Sequence, residues 1–118
     1  MILFWLDQMV DYSRDLVILV GDFNAKPDSK TYQSVISKGF ISAHLHVYGH
    51  EPEFTFPSGL KAEFMDMDPP GAFDYIFVKG KGFEITGCEV LGKNHLEGDP
   101  TIYGSDHFAL AANIEINY

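Results

Sequence analysis

Two polar side chains stand two residues apart at the end of an apolar run, in the segment VILVGDFNAKPDS (residues 17–29). On extended backbone, residues at i and i+2 point to the same face, so Asp22 and Asn24 would present a carboxylate and an amide side by side. Such hard oxygen ligands suit Mg²⁺ or Mn²⁺, and the amide can also donate to a phosphate oxygen, whereas zinc and copper prefer other ligands. An Asx turn, in which these side chains bond their own backbone, explains the short pattern equally well.

Three further polar residues stand where other apolar runs begin. Asp74 opens one run, and Asp106 with His107 precedes another; taken singly, each is explained by turn, cap or interface chemistry. Together with Asp22 and Asn24, these residues place more polar side chains at strand ends than turn formation requires. Asp74 can accept a hydrogen bond from one ring nitrogen of His107, which fixes the tautomer and favours imidazolium. The other nitrogen is then an acid or a contact for an anionic oxygen, and Asp106 a metal ligand or an acceptor for metal-bound water.

The elements in the first third of the chain follow from hydrophobic periodicity and capping residues. Residues 2–13 carry apolar side chains at helical spacing, and LVILV (residues 16–20) is typical of a short strand buried on both faces. Ser29 is a candidate N-cap for a helix through KTYQSVISK, and Gly39 is its stop. The next segment, FISAHLHVYG, is ambiguous and is interpreted as extended.

The rest of the chain is predicted to alternate between loops and strands. Residues 49–72 hold four of the six prolines and form one long loop. FDYIFV and FEITGCEVLG are predicted strands, the second bent at Gly87, and HFALAANIEI is the last strand after a polar loop. The order is a mixed α/β pattern. If the strands at Asp74 and after His107 run antiparallel to the first strand, all three motifs meet at one edge of the sheet.

Length and composition indicate one globular domain over residues 1–118. The hydrophobic fraction is 46%, and the net charge is −9, from 17 acidic and 8 basic residues. This charge disfavours stable binding of duplex DNA, but it allows an enzyme in which a cation lies between carboxylates and a phosphate. No apolar run reaches the ~18 residues of a membrane span, and MILFWL lacks the flanks of a signal peptide. The lone Cys88 predicts an intracellular, cytoplasmic location.

ILVGDFN, FDYIFV and YGSDHFAL, in this order, resemble the C-terminal half of the endonuclease/exonuclease/phosphatase superfamily, over about residues 2–116. The superfamily includes apurinic endonucleases, DNase I-like nucleases, deadenylases, neutral sphingomyelinases and inositol phosphatases. The resemblance implies an α/β (α+β) fold: half of a four-layered α/β sandwich with a mixed, mainly antiparallel β-sheet. It also implies a hydrolase of phosphodiesters or phosphomonoesters that depends on Mg²⁺ or Mn²⁺.

The same resemblance implies a role for each motif residue. Asp22 would orient or deprotonate the attacking water, and Asn24 would donate a hydrogen bond to the scissile phosphate. Asp74 would orient His107 toward the phosphate, and Asp106 would hold the metal together with Asp22. These roles supply the positioned water, the cation and the charge stabilisation that phosphoester hydrolysis needs. RNA, a nucleotide and a phospholipid headgroup are all compatible substrates.

The first half of the family's site, with an early-strand Asn and a metal-ligating Glu, has no counterpart, because only 20 residues precede Gly21. We therefore expect the C-terminal portion of a catalytic domain, weakly active or inactive alone. An uncovered sheet face predicts self-association or a complementing N-terminal half. The alternative is a catalytically inactive remnant that acts as an interaction module.

Other candidate ligands have plainer explanations. His44, His46 and His50 lack a second ligand group at matching spacing, so they are interpreted as alternating surface histidines on a strand rather than zinc ligands. Asp66 and Asp68 resemble a calcium loop only loosely, because the later ligands are missing. Packing, rather than stacking on nucleobases, is the predicted use of four aromatic residues: Phe54, Phe56, Phe64 and Tyr103.

Overall fold

The structure, a computed structural model, describes residues 2–117. In chain order, its helices and strands are α1 (Ile2–Met9), β1 (Leu16–Asp22), α2 (Lys30–Ser37), β2 (Ile41–Ser42), α3 (Ala43–Tyr48), β3 (Asp74–Gly80), β4 (Phe83–Leu91) and β5 (Ala109–Ile116). The predicted α+β class is confirmed, and the strand pairs that the structure describes are antiparallel. No helix within this range is long and apolar enough to cross a membrane.

The strands form two sheets rather than one. β1, β3 and β2 lie side by side in that order, with β3 in the middle, and β4 pairs with β5 in a separate hairpin. The motif with His107, which precedes β5, therefore approaches the motifs of Asp22 and Asp74 from a neighbouring sheet. The sequence had predicted that all three motifs meet at one edge of a single sheet. Gly87 lies at the predicted bend, since the register of β4 against β5 shifts between Ile85 and Gly87, as at a β-bulge.

β3 separates two hydrophobic clusters. Because side chains alternate along a strand, Tyr75 and Phe77 face α1 and α2, while Ile76 and Val78 face the β4–β5 sheet and the start of α3. The buried members on the side of α1 and α2 are Leu6, Tyr32, Val35, Phe40, Ala72, Tyr75 and Phe77. Those on the other side are Ala43, Val78, Ile85 and Cys88. β3 is thus the element around which the core is built.

β1 is an edge strand, and the prediction that it is buried on both faces is wrong. In the antiparallel register, Ile18 lies opposite Val78 and Val20 opposite Ile76, on the face that β4 and β5 cover over β3. That cover reaches Leu16 at the start of β1 but stops short of the next two side chains on this face, because Ile18 is 46% and Val20 62% exposed. A patch of apolar sheet face therefore remains in solvent.

The helix boundaries follow local hydrogen bonding. The Ser29 hydroxyl accepts from the backbone N–H of Tyr32 at 3.2 Å, and Gly39 has a φ of 87°, so the predicted start and stop of α2 are confirmed. α1 ends earlier than residue 13. Asp11 accepts from the backbone N–H and the hydroxyl of Ser13, and this turn competes with further helix.

FISAHLHVYG is helical rather than extended beyond its first residues. After the short strand β2, α3 begins at Ala43 and ends at a left-handed Gly49. His44, 7% exposed, places Nδ1 2.7 Å from the carbonyl oxygen of His50. The Tyr48 hydroxyl donates to the carbonyl oxygen of Cys88 on β4. Contacts to other segments, not local periodicity, set this helix.

Candidate functional site

Three of the predicted site residues meet where β1 ends and β3 begins. Asp22, the last residue of β1, pairs in register with Asp74, the first residue of β3. His107 precedes β5 and lies between the two carboxylates: its Nδ1 is 2.8 Å from Asp74 Oδ2, and its Nε2 is 3.9 Å from Asp22 Oδ2. One ligand atom from each residue lies within 4.8 Å of the others. The expectation that polar residues at strand ends converge is therefore met for these three.

Asp22 uses its two oxygens differently. Oδ1 accepts from the backbone N–H of Asn24 at 2.8 Å, which is the Asx turn considered from the sequence. Oδ2 accepts no hydrogen bond within residues 2–117 and faces His107. The turn and an outward-facing carboxylate oxygen therefore coexist in one side chain.

Asn24 does not lie on extended backbone. The prediction that its side chain and that of Asp22 point to the same face of a strand is therefore wrong. Its φ is 48°, in the left-handed region that Asn tolerates better than most residues. The Asx turn follows directly after β1. Asn24 nevertheless reaches the same cavity as His107.

That cavity, which we call the polar pocket, has a volume of about 270 Å³. Its lining residues are Asn24, Phe56, Asp66, Asp68, Phe73 and His107. The Phe56 ring centroid is 5.0 Å from that of His107, so one face of the imidazole packs on an apolar wall. The pocket offers an amide, an imidazole and two carboxylates to a small polar molecule.

Thr55, which belongs to none of the three sequence motifs, fixes Asp74 and therefore His107. Its side chain is fully buried. The hydroxyl donates to Asp74 Oδ2 at 2.6 Å and accepts from the backbone N–H of Phe73 at 3.0 Å and of Asp74 at 3.3 Å. Its carbonyl oxygen accepts from the N–H of Phe108, one residue after His107, at 2.7 Å. Thr55 thus joins the long loop to the starts of both site strands.

Ser58 holds the turn that carries Asp106 and His107. The Ser58 N–H donates to the Asp106 carbonyl oxygen at 2.8 Å, and its hydroxyl donates to the carbonyl oxygen of Ser105 at 2.6 Å. The Oδ1 atom of Asp106 accepts from the hydroxyl of its neighbour Ser105 at 3.3 Å. Asp106 is therefore adjacent to the cluster of Asp22, Asp74 and His107 but is not one of its members.

The charges around His107 favour its protonated form. Burial lowers the pKa of this imidazole, but the hydrogen bond and negative charge of Asp74, aided by Asp22 and Asp106, outweigh it and raise the pKa above 6.5. In this state Nδ1–H donates to Asp74, and Nε2–H is a donor on the side of Asp22. An imidazolium donates hydrogen bonds to anions and does not ligate metals.

Within residues 2–117, the other candidate metal ligands do not form a group that could hold an ion. His44, His46 and His50 lie on or after α3 instead of alternating along a strand, so that interpretation is wrong. Within residues 2–117, Asp22, Asp74 and His107 form the sole group of acidic, histidine or cysteine side chains close enough to share an ion. Asp66 Oδ1 instead accepts from the Asp68 N–H at 3.0 Å, in an exposed turn at the polar pocket.

The donor set fits a hard divalent cation. Carboxylate oxygens are the usual ligands of Mg²⁺ and Mn²⁺, and Asp22 Oδ2 is directed toward the cluster without a hydrogen-bonded partner among the described residues. Asp74 Oδ2 is less available because it already accepts from Thr55 and His107. Asp22 is accordingly the side chain best placed to hold an ion.

Comparison with known proteins agrees with these motifs. A family model described as "Endonuclease/Exonuclease/phosphatase family" matches residues 2–107, a range that includes all five predicted site residues. No curated protein matches the sequence.

Proposed function

Because the chain belongs to the endonuclease/exonuclease/phosphatase family, we propose that it is a metal-dependent phosphoesterase that hydrolyses a phosphodiester or a phosphomonoester. Members of this family are in general metal-dependent phosphoesterases, nucleases or phosphatases. The observation that carries the proposal is the convergence of Asp22, Asp74 and His107 within 4.8 Å. These side chains come from the ends of three strands in two sheets, and the polar pocket opens beside them.

In the proposed reaction Asp22 holds the attacking water. Its Oδ2 lies 3.9 Å from His107 Nε2, whereas its Oδ1 is engaged by the Asn24 N–H, which restricts rotation of the carboxylate. A carboxylate so fixed can accept a proton from water, or orient the water for in-line attack on phosphorus. Asp22 is in this sense the general base or the orienting residue.

Asn24 and His107 bind the phosphate in this proposal. Both line the polar pocket. The Asn24 amide and the His107 Nε2–H are donors, and the raised pKa of His107 makes the imidazolium a suitable partner for an oxyanion whose charge increases during attack. Asp74 acts through His107 by holding its Nδ1–H, and Thr55 holds Asp74.

Mg²⁺ or Mn²⁺ is the proposed cofactor, held by Asp22 with a contribution from Asp106. When bound, the ion would neutralise charge on the phosphate oxygens. We include Asp106 because it precedes His107 in the chain and its negative charge acts on the imidazole, although it is not a member of the cluster. The −9 net charge of the chain makes a cation useful for bringing a phosphate to this surface.

The substrate proposal is a phosphoester with RNA, a nucleotide or a phospholipid headgroup as its broad class. Duplex DNA is disfavoured, because 17 acidic residues oppose 8 basic ones and repel a long polyanion.

A second candidate function is favoured by the exposed face of β1. Ile18 and Val20 are exposed on the face that the β4–β5 sheet covers over β3. A segment packing there would lie next to Asp22, the last residue of β1. In this alternative the chain is the C-terminal portion of a catalytic domain: it is inactive by itself, and acts as an interaction module or needs a complementing half.

Hydrolysis of bis-p-nitrophenyl phosphate tests the function and separates the two candidates. In a sample of the full chain that circular dichroism shows to be folded, we expect turnover in the presence of Mg²⁺ or Mn²⁺. This turnover should stop when EDTA is added. Turnover unaffected by EDTA would contradict a metal-dependent reaction. Absence of turnover in a folded, soluble sample would favour the inactive or half-domain alternative.

A further inference from the structure

A second cavity of about 470 Å³ opens beside the polar pocket. We call it the apolar groove, after the side chains that form most of its wall: Phe56, Pro57, Leu60, Ala62, Met65 and Met67. Phe56, Asp66 and Asp68 line both cavities, so the two share a wall. A molecule whose phosphate lay in the polar pocket could therefore place a substituent of sufficient length in the groove.

We propose that the apolar groove binds a hydrocarbon substituent of the phosphoester substrate. This inference rests on the proposed function, because the phosphate is assumed to lie at Asn24 and His107. Aliphatic and thioether side chains gain free energy by removing apolar surface from water, and methionine adapts to chains of different shape. The groove thus selects the group attached to phosphorus, while the polar pocket holds the phosphate.

A nucleobase fits the same groove less well. Bases bind proteins by stacking on exposed aromatic faces. The one aromatic side chain in the groove wall is Phe56, which is 3% exposed and packs against the rings of Phe73 and His107. Phe64 is fully exposed but does not line the groove. A hydrocarbon chain needs no stacking face, so it matches the wall better.

The shared wall also disfavours a second phosphate. Asp66 and Asp68 place two carboxylates between the polar pocket and the apolar groove, and Lys61 is the one basic residue lining the groove. In the polar pocket the Asn24 amide and the His107 imidazolium offset these carboxylates, whereas a second phosphate in the groove would meet the same two carboxylates with only Lys61 to offset them. The arrangement favours a substrate with a single phosphate and an uncharged, apolar substituent.

Methionine NMR with phosphonates tests the groove without requiring turnover. In the full chain labelled with ¹³C-methyl methionine, hexylphosphonate should shift the methyl signals of Met65 and Met67, while Met9 on α1 serves as an internal reference. Each buried methylene is worth about fourfold in affinity, so we expect hexylphosphonate to bind at least about tenfold more tightly than methylphosphonate. The M65Q/M67Q variant should lose this preference, and M9Q should keep it.

The outcomes separate this inference from the proposed function. Preference for hexylphosphonate in a protein without phosphodiester turnover would support the groove and count against the proposed function. Equal binding of the two phosphonates, with unmoved Met65 and Met67 signals, would overturn the groove even in an active enzyme. Tighter binding of adenosine monophosphate than of hexylphosphonate would also overturn it, in favour of a base-binding site.

Discussion

The Nδ1 atom of His107 lies 2.8 Å from Oδ2 of Asp74, and this contact decides which way the imidazole faces. The same carboxylate oxygen accepts the Thr55 hydroxyl at 2.6 Å, so a fully buried residue of the long loop restrains the acceptor. Nε2 is left to face Asp22 across 3.9 Å. The geometry fixes the orientation of His107 before any ligand is present.

The contact with Asp74 should control the titration of His107. Burial alone lowers the pKa of this imidazole, and Asp74 is the main group that raises it. Asp74→Asn should therefore lower the pKa of His107, whereas Asp66→Asn, on the pocket wall without a hydrogen bond to the ring, should change it less. NMR titration of the ring protons in metal-free protein measures both.

The same shift has a consequence for stability. Because the pKa of His107 is higher in the folded chain than the unperturbed 6.5, protonation favours folding. The contribution is complete below the unfolded-state pKa and is lost as the pH rises through the folded-state pKa. Urea unfolding at a series of pH values should show this loss in the wild type and a smaller one in Asp74→Asn. An identical pH dependence in both proteins would contradict it.

Thr55 should be required for stability out of proportion to its size. Thr55→Val keeps the shape but removes three hydrogen bonds and leaves two backbone N–H groups without their acceptor. We expect a loss of about 2–4 kcal/mol in the free energy of unfolding, because each buried unsatisfied group costs about 1–3 kcal/mol. Urea denaturation measures it.

Thr55→Ser is the matched control, since it keeps the hydroxyl and removes only a methyl group. Its expected cost is about 1 kcal/mol, the usual effect of deleting one buried methyl. Equal losses for the valine and serine variants would show that packing, not hydrogen bonding, explains the role of Thr55.

The exposed face of β1 should mediate association. Replacing Ile18 and Val20 by threonine removes apolar surface that is already largely in solvent, so folding should change little. We expect the wild type to self-associate, and the double variant to do so at least about tenfold more weakly, which corresponds to about 1.4 kcal/mol. Sedimentation velocity over a concentration series measures this. A wild type that stays monomeric throughout would rule out self-association through this face.

Asp22 should dominate metal binding. Asp22→Asn retains an oxygen that can accept the Asn24 N–H, so the turn is kept while the charge is lost. Mn²⁺ affinity, followed by electron paramagnetic resonance of the free ion, should fall at least about tenfold, or 1.4 kcal/mol. Glu84→Gln, an exposed acid at the start of β4, is the matched control and should bind Mn²⁺ like the wild type. Equal affinity for both variants would place the ion elsewhere.

Features set by neighbouring residues were predictable from the sequence. Ser29 and Gly39 mark α2 because capping is decided within a few residues. Asp22 and Asp74 could be expected to approach each other, since each lies at a strand end and antiparallel pairing places such ends together. These features can be predicted from interactions between residues close in the sequence and from the antiparallel direction of the strands.

Features set by distant contacts were not predictable. α3 has six residues, and is held by contacts such as that between Tyr48 and Cys88, forty positions apart. In the sequence, Thr55 is an ordinary loop threonine between two phenylalanines. The carboxylate that accepts its hydrogen bond belongs to Asp74, nineteen positions later. The exposure of Ile18 and Val20 depends on how far the β4–β5 sheet extends, which no local pattern encodes.

The most direct test of the proposed site compares phosphodiester turnover in the wild type, Asp22→Ala, His107→Ala and the control Glu84→Gln. With bis-p-nitrophenyl phosphate and Mn²⁺, we expect both site variants to lose at least about 100-fold in kcat/KM. This is the usual effect of removing a general base, as in Asp22→Ala, and of removing a donor to the oxyanion, as in His107→Ala. Glu84→Gln should match the wild type. Turnover that persists in both alanine variants would contradict the assignment of Asp22 and His107 as catalytic residues.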